Sequence, residues 1–133
     1  MSRIFVDTSA AYALFDAGDS SHARARRTFG LLRAREALLV TTSYVLVETC
    51  ALMARRLGLA ALRDFRENLA PLLDVIWVDA VVHDAALDLL FERHKAGLSL
   101  VDAASFVVMR GARIDVAFAF DRHFEQEGFS FPA

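Results

Sequence analysis

Cysteine is nearly missing from this chain: Cys50 is the single one in 133 residues. No intrachain disulfide can form, which excludes the disulfide-stapled scaffolds and fits a cytoplasmic protein. Among the apolar neighbours of VETCALM, that thiol reads as buried and inert rather than as a nucleophile. Proline is scarce as well, with only Pro71 and Pro132. No linker or low-complexity segment interrupts the chain, so one domain over residues 1–133 is expected. No run of about 18 uninterrupted apolar residues exists, and no membrane span is expected. The start, MSRIFVD, lacks the apolar region and small-residue cleavage site of a secretory leader. Nor does one sign of charge dominate: 15 Lys and Arg face 17 Asp and Glu, for a net charge of −2. That balance does not advertise nucleic-acid binding, nor does it exclude it, because acids gathered in one pocket mask a basic rim in the total.

Apolar residues, by contrast, are in surplus. They make up 56% of the chain. Counted with glycine and without tyrosine the share is about 59%, against a typical ~45–50%. The excess has to be covered by a homo-oligomer interface or by a partner lying in a groove.

Apolar runs alternate with helical patterns. Short continuous runs at residues 3–6, 37–40, 74–78 and 115–120 read as strands, with a short fifth at 129–131. Helices are expected at 8–15, from about 21 through an arginine-rich stretch, at 43–57 with Gly58 as the stop, at 60–69, at 81–95, and at 100–110 ended by Gly111. Strand–helix alternation implies right-handed crossovers and a parallel sheet covered on both faces, a three-layer α/β/α domain with four to five strands. In such sheets ligands gather beyond the carboxyl ends of the strands.

Four acids stand out. Asp7 ends the first strand in RIFVDTSA, and Asp121 ends the fourth in AFAFDRHF, so both leave the same sheet edge. Each is also a good helix N-cap. Asp102, in LSLVDAASF, forms with Ser99 the S-x-x-[DE] capping pattern, and a first-turn carboxylate is kept ionised by the helix dipole. Glu48, in SYVLVETCALM, shares a helix face with Val45 and Leu52, where a lone glutamate is costly without compensation. Four carboxylates brought together require either protonation or a hard divalent cation, and an all-oxygen set suits Mg²⁺ or Mn²⁺ rather than zinc. The histidines His22, His83, His94 and His123 share no ligand spacing and read as surface residues. His123, two positions after Asp121, is the one that falls near the pocket.

This order of motifs, strand–Asp–Thr–Ser, Glu48 after TTSYVLVE, Asp102 in LSLVDAASFVVMR, Asp121 in AFAFDRHF and a closing GFSF, resembles a PIN-domain ribonuclease of the VapC toxin type over essentially the whole length. The resemblance implies that Asp7 and Asp102 are the principal ligands of Mg²⁺ or Mn²⁺, with Glu48 and Asp121 completing the pocket directly or through water. Ser9 or Thr8 would supply a hydroxyl near the metal or the substrate phosphate. Ala119 departs from the Ser or Thr that many relatives carry two residues before the last acid. The implied reaction is hydrolysis of an RNA phosphodiester to a 5′-phosphate and a 3′-hydroxyl.

The cations that would hold RNA are Arg24, Arg26, Arg27, Arg33 and Arg35, with Arg55 and Arg56; Lys95 and Arg110 are weaker candidates, and a solvated helix face explains any single one. The family also implies a homodimer and a VapB-type antitoxin, seated in a groove expected between residues 11–15 and the 45–57 helix. Two other classes compete. An RNA-binding module or an RNA-processing nuclease outside a toxin–antitoxin pair would share these acids. A phosphohydrolase with Asp7 as nucleophile would want a second Asp where Ser9 stands.

Overall fold

Ile4, Phe5 and Val6 are strand formers with no polar interruption. In the computed structural model, which describes residues 2–133, Arg3–Val6 is the first strand, β1. It pairs with β2 (Leu38–Thr42) on one side and β4 (Ala117–Phe118) on the other, and β3 (Leu73–Ile76) closes the edge beyond β2. All pairings are parallel, in the order β3-β2-β1-β4, with Phe5 opposite both Val40 and Ala117.

Seven helices connect and cover the strands: α1 (Thr8–Phe15), α2 (His22–Ala34), α3 (Ser43–Arg56), α4 (Leu59–Asn68), α5 (Ala80–Arg93), α6 (Leu100–Ala112) and α7 (Arg122–Gln126). Because successive strand residues point to opposite faces, β1 feeds two cores. Ile4 and Val6 pack with Leu39, Leu32, Met53 and Phe65, under α1 to α4. Phe5 packs the other way with Val40, Phe106, Met109 and Phe124, under α6 and α7. Helix α5 closes on α6 through Ala86 against Ala103 and Ala104. The three expected layers are present. No helix among the described residues is long and apolar enough to cross a membrane.

The chain runs outward from β1 to β2 and β3, then returns so that β4 lands on the opposite side of β1. The crevice beyond the carboxyl ends of β1 and β4 is therefore the switch point where ligands enter such sheets.

Several boundaries differ from the sequence expectation, and each has a local cause. The fourth strand shrinks to two residues because the Phe120 N–H donates to Ser9 Oγ at 2.9 Å instead of to a neighbouring strand. The fifth strand is reduced to a single parallel bridge, Val116 to Ser130. Strand β3 stops at Ile76, since the Val78 N–H donates to Ser43 Oγ at 2.9 Å. Gly58 does end α3, at φ 95, with both its N–H and that of Leu57 returning to Met53 O. Gly111 does not end α6. The left-handed position falls on Arg113 (φ 57), where the chain turns to bury Ile114.

Within the segment expected to wall a partner groove, Leu14 and Phe15 are half-buried and line a cleft with Arg26 and Phe29. Ala11, Tyr12 and Ala13 are buried in the core. An apolar groove of about 450 Å³ lies between α3 and α4, lined by Leu46, Cys50, Leu59, Leu62 and Phe65, with Arg63 and Arg66 at its margin.

Candidate metal centre

Three of the four acids cap helices, and the cap is what aims them. Asp7 is the N-cap of α1: its Oδ2 accepts the Ser9 N–H at 3.1 Å and the Ser9 hydroxyl at 2.7 Å. Asp121 is the N-cap of α7, accepting the His123 N–H at 2.9 Å. Asp102 and Ser99 form the reciprocal capping box read from the sequence, at 3.1 and 3.2 Å. At Asp7 capping uses Oδ2 and leaves Oδ1 free, whereas at Asp121 and Asp102 the capping oxygens themselves lie nearest His123.

Glu48 arrives on α3. A buried hydroxyl pair fixes that helix to the start of α1: Thr49 Oγ1 donates to Thr8 Oγ1 at 3.1 Å, and Thr8 Oγ1 donates to Val45 O at 3.4 Å. The Thr8 hydroxyl is therefore engaged inside the fold, while that of Ser9 lies on Asp7. Half-buried Glu48 lies close enough that its charge acts on both Asp7 and Asp102.

Ser9 does more than follow Asp7. Its hydroxyl donates to Asp7 and accepts from the Phe120 N–H, which joins the ends of β1 and β4 one residue before Asp121. Ala119, by contrast, is buried in the apolar core. The hydroxyl beside the β4 exit thus comes from the neighbouring strand's end.

The electrostatics are those of a site short of positive charge. Burial pushes the Asp7 carboxyl up to about 7, Asp102 and Glu48 add to the rise, and the Ser9 hydrogen bonds oppose it. Asp102 is also raised, first by burial and then by the charges of Asp121 and Glu48. Among the described residues, no Lys or Arg pairs with Asp7, Asp102 or Asp121. Asp7 Oδ1 is buried with no hydrogen-bond partner. A buried carboxylate oxygen without a donor is costly and fits a site that receives a cation. One ligand atom each from Asp102, Asp121 and His123 lies within 4.8 Å of the others, a cluster that does not include Asp7 or Glu48.

His123, the one histidine expected near the pocket, does lie beside the acids. Its side chain is only 19% exposed, and Nδ1 sits 3.2 Å from Asp121 Oδ1. The available signal was its position two residues after a capping Asp, where the ring falls beside the cap. The basic candidates divide. The Arg24 guanidinium lies 4.8 Å from the ring of Phe120, next to Asp121. Arg110 is committed to Glu127, Lys95 to Gln126, and Arg35 donates to Ala133 O.

A parallel sheet in the order β3-β2-β1-β4, with acids from the ends of β1 and β4, from α3 and from the first turn of α6, defines a PIN domain. The chain belongs to the PIN-domain family, whose family model matches residues 4–129. Within it the chain is of the VapC type. It is 39% identical over 127 residues to the 23S rRNA-specific endonuclease VapC20 of Mycobacterium tuberculosis (strains H37Rv and CDC 1551), covering 95% of either protein. The crystal structure of VapC20, described as a Sarcin-Ricin loop cleaving toxin, superposes with a TM-score of 0.83 at 38% identity, over 95% of each chain. VapBC2 of Rickettsia felis, bound to a DNA fragment from its promoter, shares the fold alone, with a TM-score of 0.70 at 12% identity over 97% of this chain and 96% of that one.

Proposed function

We propose that this chain is a Mg²⁺-dependent endoribonuclease, with Mn²⁺ as a substitute ion, that cuts structured ribosomal RNA as the toxin of a VapBC-type pair. The observation that carries this reading is the buried, unpaired oxygen of Asp7, whose carboxyl feels the charge of Asp102 and, among the described residues, pairs with no Lys or Arg.

Asp7, Asp102 and Asp121 would hold the cation, with Glu48 completing the acidic wall. A divalent cation bound there lowers the pKa of water, polarises a phosphoryl oxygen and offsets the charge that develops on it. Glu48, half open to solvent, accepts the proton of the attacking water at its carboxylate, a role Asp121 shares. Attack at phosphorus breaks the P–O3′ bond and leaves a 5′-phosphate and a 3′-hydroxyl. Ser9 keeps Asp7 and the β4 exit in fixed relation. Arg24, stacked on Phe120, is the cation best placed to hold the RNA backbone beside the acids. The likeness to VapC20 supports an rRNA loop, a substrate whose splayed bases expose the phosphate.

For partners, we assign the α3/α4 groove to an apolar segment of a VapB-type antitoxin, with Arg63 and Arg66 positioned for its acidic side chains. The exposed Trp77, Val81 and Phe91 supply apolar surface for a homodimer. The deciding experiment incubates purified ribosomes with the protein and maps new RNA 5′ ends. Cleavage at one rRNA loop, needing divalent cation and lost in Asp7→Asn, is expected. Metal-independent cutting, or an Asp7→Asn variant as active as the parent, overturns the reading.

A further inference from the structure

His123 is the one group in the acidic crevice that a four-carboxylate scheme leaves without a task. Its Nδ1 is shielded from solvent and makes no hydrogen bond. It lies 3.2 Å from Asp121 Oδ1 and 3.9 Å from Asp102 Oδ2. Ligand atoms held about 2.1 Å from a six-coordinate cation are about 3 Å apart when adjacent and about 4.2 Å when opposite. The 3.2 Å separation is near the adjacent value and the 3.9 Å one near the opposite value. A simple imidazolium–carboxylate pair is the competing arrangement, and it needs a ring N–H aimed at an oxygen. Neither approach has hydrogen-bond geometry, and Asp121 Oδ1 already accepts the His123 backbone N–H at 2.9 Å. The turn at Gly97 (φ 83) runs beside the ring, where an added Cβ would stand 3.7 Å from Cε1.

We propose that His123 Nδ1 is a direct ligand of the divalent cation, alongside Asp102 and Asp121, and that this nitrogen biases the site toward Mn²⁺ over Mg²⁺. The inference rests on the carboxylate metal site proposed above and adds one donor to it. Mg²⁺ is hard and keeps oxygen ligands and water, whereas imidazole is a donor for transition metals. Exchanging one oxygen ligand for nitrogen therefore costs Mg²⁺ more than Mn²⁺. With Asp7 counted beside Asp102, Asp121 and His123, four of six positions are taken and two remain for water or substrate oxygens.

The test uses tag-free protein stripped with EDTA and titrated with Mn²⁺, read by electron paramagnetic resonance. Pulsed spectra of the bound ion report any directly attached ¹⁴N. The parent is expected to bind Mn²⁺ with an imidazole ¹⁴N coupling. His123→Ala is expected to lose that coupling and at least ~10-fold in Mn²⁺ affinity. Mg²⁺ affinity, read by competition, should fall less, so that the preference for Mn²⁺ narrows. Bound Mn²⁺ without ¹⁴N coupling in the parent overturns the histidine ligand and leaves the carboxylate site standing. So does an unchanged Mn²⁺ affinity in a folded His123→Ala protein. If Asp102→Asn binds Mn²⁺ as tightly as the parent, the carboxylate site and the histidine ligand fall together. The parent spectrum alone decides the matter should His123→Ala fail to fold.

Discussion

Glu127 and Asp7 are both carboxylates with little access to water, yet their surroundings drive them in opposite directions. The Glu127 side chain is 4% exposed and accepts from Arg93 at 2.9 and 3.2 Å and from Arg110 at 2.9 Å. Those guanidinium groups hold its carboxyl below the usual glutamate range. Asp7 is 3% exposed, has only Ser9 as donor, and is raised by burial and by neighbouring acids. The two environments meet on one short helix. Asp121 and His123 begin α7, and Glu127 follows its end. Arginine neutralisation is thus available to this fold and is used where a carboxylate only has to hold the chain together. At the sheet edge it is withheld, and the uncompensated charge is what an incoming cation finds.

The largest effect expected from breaking this contrast is on catalysis. Asp102→Asn keeps the capping geometry but removes a charge, and RNA cleavage should fall by ~10³-fold or more, the scale for losing one group that stabilises developing charge. The same variant should be more stable than the parent in EDTA, because a raised carboxylate is a burden to the metal-free fold. Cleavage assays and urea melts on one preparation check both signs. A variant that loses stability and activity together would place Asp102 with Glu127 rather than with Asp7.

pH sharpens the comparison without a mutation. Between 3.8, the ordinary aspartate value, and about 7, metal-free folded protein binds more protons at Asp7 than the unfolded chain does. Stability therefore falls as pH rises through that window, by at most about 4 kcal/mol from this group. Asp102 is shifted in the same direction and deepens the slope. Glu127 acts the other way: its stabilisation is present above 4.5, its unperturbed value, and is lost as pH falls through its lowered folded value. The EDTA-treated protein should lose urea midpoint from pH 5 to pH 8, added divalent cation should restore it, and Asp7→Asn should flatten the curve. A midpoint that rises over that range would contradict the raised carboxyl.

A smaller effect is expected at the neutralised end. Glu127→Ala removes the carboxylate that Arg93 and Arg110 share, but Arg93 keeps Glu92 at 3.4 Å, Arg110 keeps the backbone carbonyl of residue 127 at 2.9 Å, and both side chains, 30% and 44% exposed, reach water. The cost should be about 1–3 kcal/mol, or roughly 3–10 °C in Tm. With cation saturating, cleavage by this variant should stay within a few-fold of the parent.

Which parts of this contrast could be read in the sequence depends on how local they are. The runs IFV and LLV, the Ser99–Asp102 box and the Gly58 stop each depend on a few adjacent residues, and each was legible. Asp7, Asp102 and Asp121 were legible as caps and as candidate ligands, because a cap and a ligand require the same short acid at a strand-to-helix turn. What escaped was set at long range. Arg110 is spoken for by Glu127, 17 residues on, and Lys95 by Gln126, 31 residues on. The fourth strand ends early because a serine 111 residues away takes its N–H. The approach of His123 Nδ1 to Asp102, 3.9 Å away and 21 residues back in the chain, is likewise announced by nothing near residue 123.

Ser9 carries the finest test of how the unneutralised carboxylate is held. Its hydroxyl is the hinge between Asp7 and Phe120, so Ser9→Ala removes a donor from Asp7 Oδ2 and an acceptor from the β4 exit. The backbone N–H of residue 9 still caps Asp7, so the helix and the fold should survive. Loss of the hydroxyl leaves Asp7 with less to oppose its rise, and it frees the strand end that carries Asp121. Divalent-cation affinity should drop about 10-fold, the low end of the range for a group that orients metal ligands, and excess cation should recover most of the cleavage rate. That recovery is the distinguishing readout. A Ser9→Ala protein that binds cation normally but cuts slowly at saturation would move the hydroxyl from bracing Asp7 to contacting the RNA phosphate.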